Sequence, residues 1–221
     1  FIAVIISLLM LHMTFKPQPS GASILSDMKQ GFFFIRKQGA MEALIVLAFL
    51  MTALAIPMIT FLPVFAKDIF RGGPSTFTTL LVFSGLGAIA GALLMAAMGN
   101  VRKKGRVALL MLMAMGGGMA GFALSKNLAL SCILLFLSGV ALMSAFTMIS
   151  SLVQLITSHE MRGRVMSVYN VAFRGGMPFG NLATGWLIPM FSAPVVIAVN
   201  GILLVVLGLY LFAAQRRVAE L

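Results

Sequence analysis

The stretch Ser158-His-Glu-Met-Arg-Gly-Arg-Val-Met-Ser-Val-Tyr-Asn-Val-Ala-Phe-Arg-Gly-Gly-Met-Pro-Phe-Gly180 decides how the chain is read. It opens as a charged loop and becomes an apolar helix that still carries an arginine. Arg174 lies ten residues beyond Arg164, roughly 15 Å along a helix rising 1.5 Å per residue. That is about halfway through a hydrocarbon core of roughly 30 Å. A guanidinium at that depth is costly, and such residues usually face a bundle interior or a watery cavity.

The sequence on either side is more apolar still. Across the chain 61% of residues are hydrophobic and 10% are charged, against about 25% charged in soluble domains. The apolar residues form runs too long for a soluble core, and the ten-residue alternation of membrane β-barrels is absent. The fold class is therefore all-α integral membrane. Six runs satisfy the length rule for membrane helices, at 42–66, 77–98, 107–125, 128–156, 165–191 and 194–214. Their separators carry turn or charge signals: Arg71-Gly-Gly-Pro74, Gly99-Asn-Val-Arg-Lys-Lys-Gly-Arg106, Lys126-Asn127, the loop ending at Arg164, and Ser192-Ala-Pro194.

A net charge of +11 in a soluble protein suggests nucleic acid. Here the cations sit in short loops, where positive charge sets membrane topology, and no nucleic-acid partner is expected. Twelve of the sixteen Lys and Arg residues fall before residue 42, at 101–106, at 162–164 and in the tail. Lys67, Arg71 and Lys126 lie on the opposite side, and Arg174 stands alone. The imbalance puts the tail and basic loops in the cytoplasm, and six spans return the chain to the side where it started.

Residues 1–15 are apolar but too short to span, and they are expected to be the end of a truncated transmembrane helix. Residues 16–41 read as a cytoplasmic loop with an amphipathic helix at 24–37, where Ile24, Met28, Phe32 and Ile35 recur at helical spacing among Lys29, Arg36 and Lys37. That helix is either a plain connector or a lipid-sensing element in the membrane interface. The six-helix bundle occupies 42–214, and 215–221 form a cytoplasmic tail.

Enzyme signatures are missing. There is no Walker A sequence and no H-E-x-x-H, and the two histidines, His12 and His159, are far apart. The five acids (Asp27, Glu42, Asp68, Glu160 and Glu220) fall in loops or at helix ends. The single cysteine, Cys132, allows no internal disulfide, and no metal or other cofactor is expected. Gly116, Gly118 and Gly121 match G-x-G-x-x-G, but no strand precedes them, so a dinucleotide site is rejected. Met111, Met113, Met115 and Met119 read as adaptable packing. Glycine pairs at Gly87 and Gly91, Gly117 and Gly121, and Gly176 and Gly180 have the small-xxx-small spacing of close helix contacts.

Polar residues within the spans are the remaining candidates. A 100° step places Ser167, Asn170, Arg174, Asn181 and Gly185 on one stripe. One span earlier, Ser144, Thr147, Ser151 and Gln154 share a face. These stripes either line a water-filled path, with Arg174 attracting an anion or an acid, or serve as interhelical hydrogen bonds with Arg174 as a structural ion-pair partner. The loop cations Arg102, Lys103, Lys104 and Arg106, with Glu160, Arg162 and Arg164, can dock on helix C-termini or neighbouring acids. They can equally serve topology alone.

Gly99–Arg106 resembles the basic cytoplasmic loop of the major facilitator superfamily. Glu160-Met-Arg-Gly-Arg-Val-Met-Ser-Val-Tyr and Phe173-Arg-Gly-Gly-Met-Pro-Phe-Gly resemble the penultimate-helix region of the branch containing enterobactin exporters and macrolide-efflux drug:proton antiporters. Gly31-Phe-Phe-Phe-Ile-Arg-Lys resembles the end of that branch's central loop. The resemblance implies the C-terminal six-helix half of a twelve-helix transporter in the bacterial inner membrane, with the N-terminal half missing. It also implies export of a small-molecule substrate by alternating access, commonly proton-coupled, from a site between the halves. Asn100 and Val101 depart from the loop pattern where an acid is often found. The alternative is a non-transporting assembly subunit or an inactive fragment.

Overall fold

The computed structural model describes residues 24–99 and 103–214. The helix expected at 1–15, the linker after it, Arg102 and the tail at 215–221 lie outside the described residues. Within them, α1 covers Ile24–Lys37 and α2 covers Gly39–Thr60, continuing through Leu62–Val64 and a π turn at Phe65–Ile69. Then come α3 (Pro74–Met98), α4 (Lys104–Leu124), α5 (Leu128–Ile156), α6 (Arg162–Phe191) and α7 (Ala193–Ala214).

Local chemistry sets the boundaries. Pro74 opens α3 at a position whose N–H has no intrahelical acceptor in any case. Asn127 caps α5, its Oδ1 accepting from the N–H groups of Ala129 at 2.9 Å and Leu130 at 3.2 Å. Ser192, at φ 71°, is the single residue between α6 and α7. The run that reads as one apolar helix at 42–66 breaks at Phe61, two residues before Pro63, and resumes through Leu62–Val64 into the π turn. That turn presses Phe65 onto Phe122 at the end of α4, with ring centroids 4.8 Å apart.

Five helices are long and apolar enough to cross a membrane: α2 with its continuation, α3, α4, α5 and α7. Helix α6 is long enough at 30 residues but is not among them. Arg162, Arg164, Arg174, Asn170 and Asn181 lower its hydropathy, so length alone supports the sixth expected span. The outer surface is apolar, with Ile89, Leu93, Leu137, Leu182, Trp186 and Val206 all more than half exposed. A surface of that kind suits a lipid environment. The chain is thus a multi-pass membrane protein.

The helices pair as α2 with α6, α3 with α5, and α4 with α7, with α4 also packing on α5. Exchanging α2 for α5, α3 for α6 and α4 for α7 reproduces the first three pairings, as expected for two inverted three-helix repeats, while the α4–α5 packing has only a weak counterpart between α7 and α2. Glycines make the close approaches. A Cβ on Gly91 would lie 2.5 Å from the Val140 carbonyl, and one on Gly116 would lie 2.5 Å from that of Gly201. Gly176 and Gly180 press on the backbone of α2 at Phe49 and Ala53. The pair expected at Gly117 and Gly121 makes no such contact: Gly117 meets nothing within 4 Å, and the adjacent Gly116 takes that role.

Candidate functional site

Helix α6 has two unlike sides because one of them is packed. Tyr169, Gly176, Gly180 and Thr184 are buried. Thr52 of α2 donates through Oγ1 to the Phe173 carbonyl at 2.8 Å, and Asn200 of α7 donates through Nδ2 to Thr184 Oγ1 at 3.2 Å. The stripe expected from the helical phase lies on the other side. Asn170 and Arg174 are exposed, as is Ser167, and Asn181 is half-buried. No hydrogen bond or ion pair engages Arg174 among the described residues. Asn181 Oδ1 is buried without a partner among them.

The backbone adds to this stripe. Pro178 has no N–H, so the Arg174 carbonyl loses its donor four residues on; Pro189 does the same to the Gly185 carbonyl. Both residues share the stripe's phase, so two carbonyls without their usual intrahelical donor lie on the side of the guanidinium and the amides. Next to it runs an apolar face with Phe179, Leu182 and Trp186, each about two-thirds exposed. Thus α6 presents two outward surfaces, one polar and one suited to lipid.

The expected stripe on α5 divides among different environments. Ser144 is fully buried and its hydroxyl has no partner among the described residues. Thr147 bonds back to the Met143 carbonyl at 2.8 Å, a common way to satisfy a hydroxyl within a helix. Ser151 Oγ lies 3.5 Å from Lys104 Nζ, and the exposed Gln154 donates to Ser150 Oγ at 3.3 Å. These four residues do not form one continuous polar surface.

What joins α5 to α6 is aromatic. Phe146 and Phe173 have centroids 4.7 Å apart, and Tyr169 stacks on Phe173 at 6.1 Å. The Tyr169 hydroxyl is turned toward Ser150 and is buried without a hydrogen-bond partner among the described residues. Sequence reasoning missed Tyr169, Phe173 and Thr52. The available signal was phase: Tyr169 and Phe173 are four apart and share the side of Gly176 and Gly180.

The loop residues are dispersed. Lys103 opens α4 at φ 60° and is exposed, as are Arg106 and Glu160. Lys104 reaches across to α5 through Ser151. Arg162 is half-buried, with Nε unpartnered among the described residues. Arg164 Nη1 lies 3.7 Å from Met161 Sδ, and its backbone carbonyl meets Gly31 of α1. A cavity of about 420 Å³ lies elsewhere, between the start of α2 and the end of α7, lined by Glu42, Val46, Leu207 and Tyr210 among others.

No curated protein matches the chain. A family model for transmembrane secretion effectors matches residues 1–220, almost the whole chain. Together with the apolar surface and the inverted helix pairing, that match identifies the chain as a member of the transmembrane secretion effector family, a transporter family of the major facilitator superfamily.

Proposed function

We propose that the chain forms the C-terminal six-span half of a secondary active efflux permease, in which α6 crosses the membrane as the fifth span of the bundle. The enterobactin-exporter and macrolide-efflux branch is the group intended, with a small-molecule substrate, proton coupling, a bacterial inner-membrane location and a cytoplasmic C-terminus. The supporting observation is the exposed stripe of α6. A membrane-length helix that buries Gly176 and Gly180 on one side leaves Arg174, Asn170 and part of Asn181 facing outward without partners. In lipid an unpaired guanidinium is expensive, so a second bundle enclosing water and substrate is the natural occupant of that side. Arg174 then attracts an anionic group of the substrate or a carboxylate of the other half, and the two carbonyls and the amides supply hydrogen bonds.

Alternating access requires the two bundles to rock about this interface. Arg102, Lys103, Lys104 and Arg106 on one loop, and Glu160, Arg162 and Arg164 on the other, act at its cytoplasmic rim, where charge-assisted pairs form in one state and release in the other. The test is export by the full-length gene product carrying Arg174→Leu or Arg174→Lys. Leu is expected to reduce transport by at least about tenfold, since about 1.4 kcal/mol of lost interaction corresponds to that factor. Lys is expected to restore part of it. Parental export by both variants removes Arg174 from the path.

A further inference from the structure

Helix α1 adjoins the start of a membrane-length helix. A single residue, Gln38, separates its last residue Lys37 from Gly39, the first residue of membrane-length α2. One side of α1 is docked on the protein. Ile35 is 3% exposed and Gly31 is buried, with Met28 and Phe34 half-buried beside them. A Cβ on Gly31 would lie 2.8 Å from the Arg164 carbonyl at the start of α6. Phe32 and Phe33 lie away from this docked side, 50% and 56% exposed.

The outer side combines those two rings with Lys29, Arg36 and Lys37, all exposed. The Arg36 guanidinium lies 5.8 Å from the centroid of the Phe32 ring, which keeps cation and aromatic together on that side. Only one acidic residue, Asp27, occurs in the helix. Two adjacent phenylalanines among three cations, one residue from a membrane span, have the makeup of a surface that enters the headgroup layer of an anionic leaflet.

We propose that the outer side of α1 is a binding surface for anionic phospholipid. The phenylalanine rings insert among the acyl-chain ends, and the three cations contact headgroup phosphates. Since Gly31 sits against Arg164, lipid capture fixes the start of α6 to the membrane surface.

Amide hydrogen exchange in α1 tests this. The full-length protein is placed in nanodiscs of phosphatidylcholine, alone or mixed with phosphatidylglycerol. Exchange in α1 is expected to slow in the anionic discs, while α2 is unchanged. Each cation near an anionic surface contributes about fivefold in binding. Arg36→Gln, which leaves the docking side intact, is therefore expected to remove about fivefold of the protection gained. The Lys29→Gln, Arg36→Gln, Lys37→Gln triple variant and the Phe32→Ser, Phe33→Ser pair are expected to remove most of it. Equal exchange in both kinds of disc, or a gain that survives the triple variant, overturns the proposal. Exchange is read without transport, so this outcome is independent of the one for Arg174.

Discussion

Gly116 and Gly117 are neighbours in α4 and meet opposite surroundings. A Cβ on Gly116 would press on the Gly201 carbonyl of α7, and one on Gly201 would press on Gly116 in return, at 2.6 Å. Both obstacles are backbone and cannot swing aside. Gly116→Ala is expected to destabilise the purified protein by about 1–3 kcal/mol, the usual cost of overpacking. Gly117→Ala, with open space before it, is expected to stay within about 0.5 kcal/mol of the parent. Thermal melting in detergent compares the two, and equal losses would mean that α4 and α7 do not approach here. A glycine-rich run in the sequence says that some helix comes close but not which residue meets it. Gly116, Gly117 and Gly118 point in directions about 100° apart around the helix, so the assignment needed the partner helix. Arg174 was legible for the opposite reason: one charge in a long apolar context defines its own side of the helix. Tyr169 was not, because an aromatic residue in such a helix can face lipid or core equally well.

Helix boundaries follow local rules that can be checked one at a time. The Asn127 cap joins a turn signal visible in the sequence to two backbone N–H groups that the start of α5 leaves unpaired. Asn127→Ala is expected to cost about 1 kcal/mol, and Asn127→Asp to keep most of the stability, because its carboxylate still accepts from the same groups. A melting curve for Asn127→Ala that matches the parent would show that water or lipid headgroups serve this helix end equally well. The break in α2 was less legible. Hydropathy stays high through Phe61, and only Pro57 and Pro63 hint that the backbone ladder is interrupted. Helix α1 shows a third case: its bounds followed the pattern. The apolar repeat is divided, with Ile35 buried and Phe32 exposed, and Gly31, with no side chain, permits the closest contact.

At the scale of the whole molecule, six helical runs and their loop charges were readable, while the pairing of helices was not. Neighbours in sequence such as α2 and α3 are not the principal partners; α2 packs on α6 and α3 on α5, pairings that depend on glycine faces from distant runs. The crossing of α6 is the point of topology to test, since its polar stripe removes the hydropathy that marks the other five. Cys132 is the only cysteine of this sequence and is buried, so Cys132→Ser, with any cysteine of the proposed N-terminal half also replaced by Ser, gives a background in which single cysteines report sidedness. Cysteines replacing Lys103 and His159 are expected to react only with membrane-permeant thiol reagents in intact cells. Those replacing Arg71, Lys126 and Ser192 are expected to react with impermeant ones. Ser192 decides the matter, because it follows α6 directly and α7 begins at the next residue. If a cysteine there behaves like the one at His159, α6 lies on one side, α7 ends on the outer surface, and Arg174 does not face a transmembrane path. If it groups with Arg71 and Lys126, α6 crosses with its guanidinium inside the bilayer, and a second bundle to shelter that charge becomes a physical requirement.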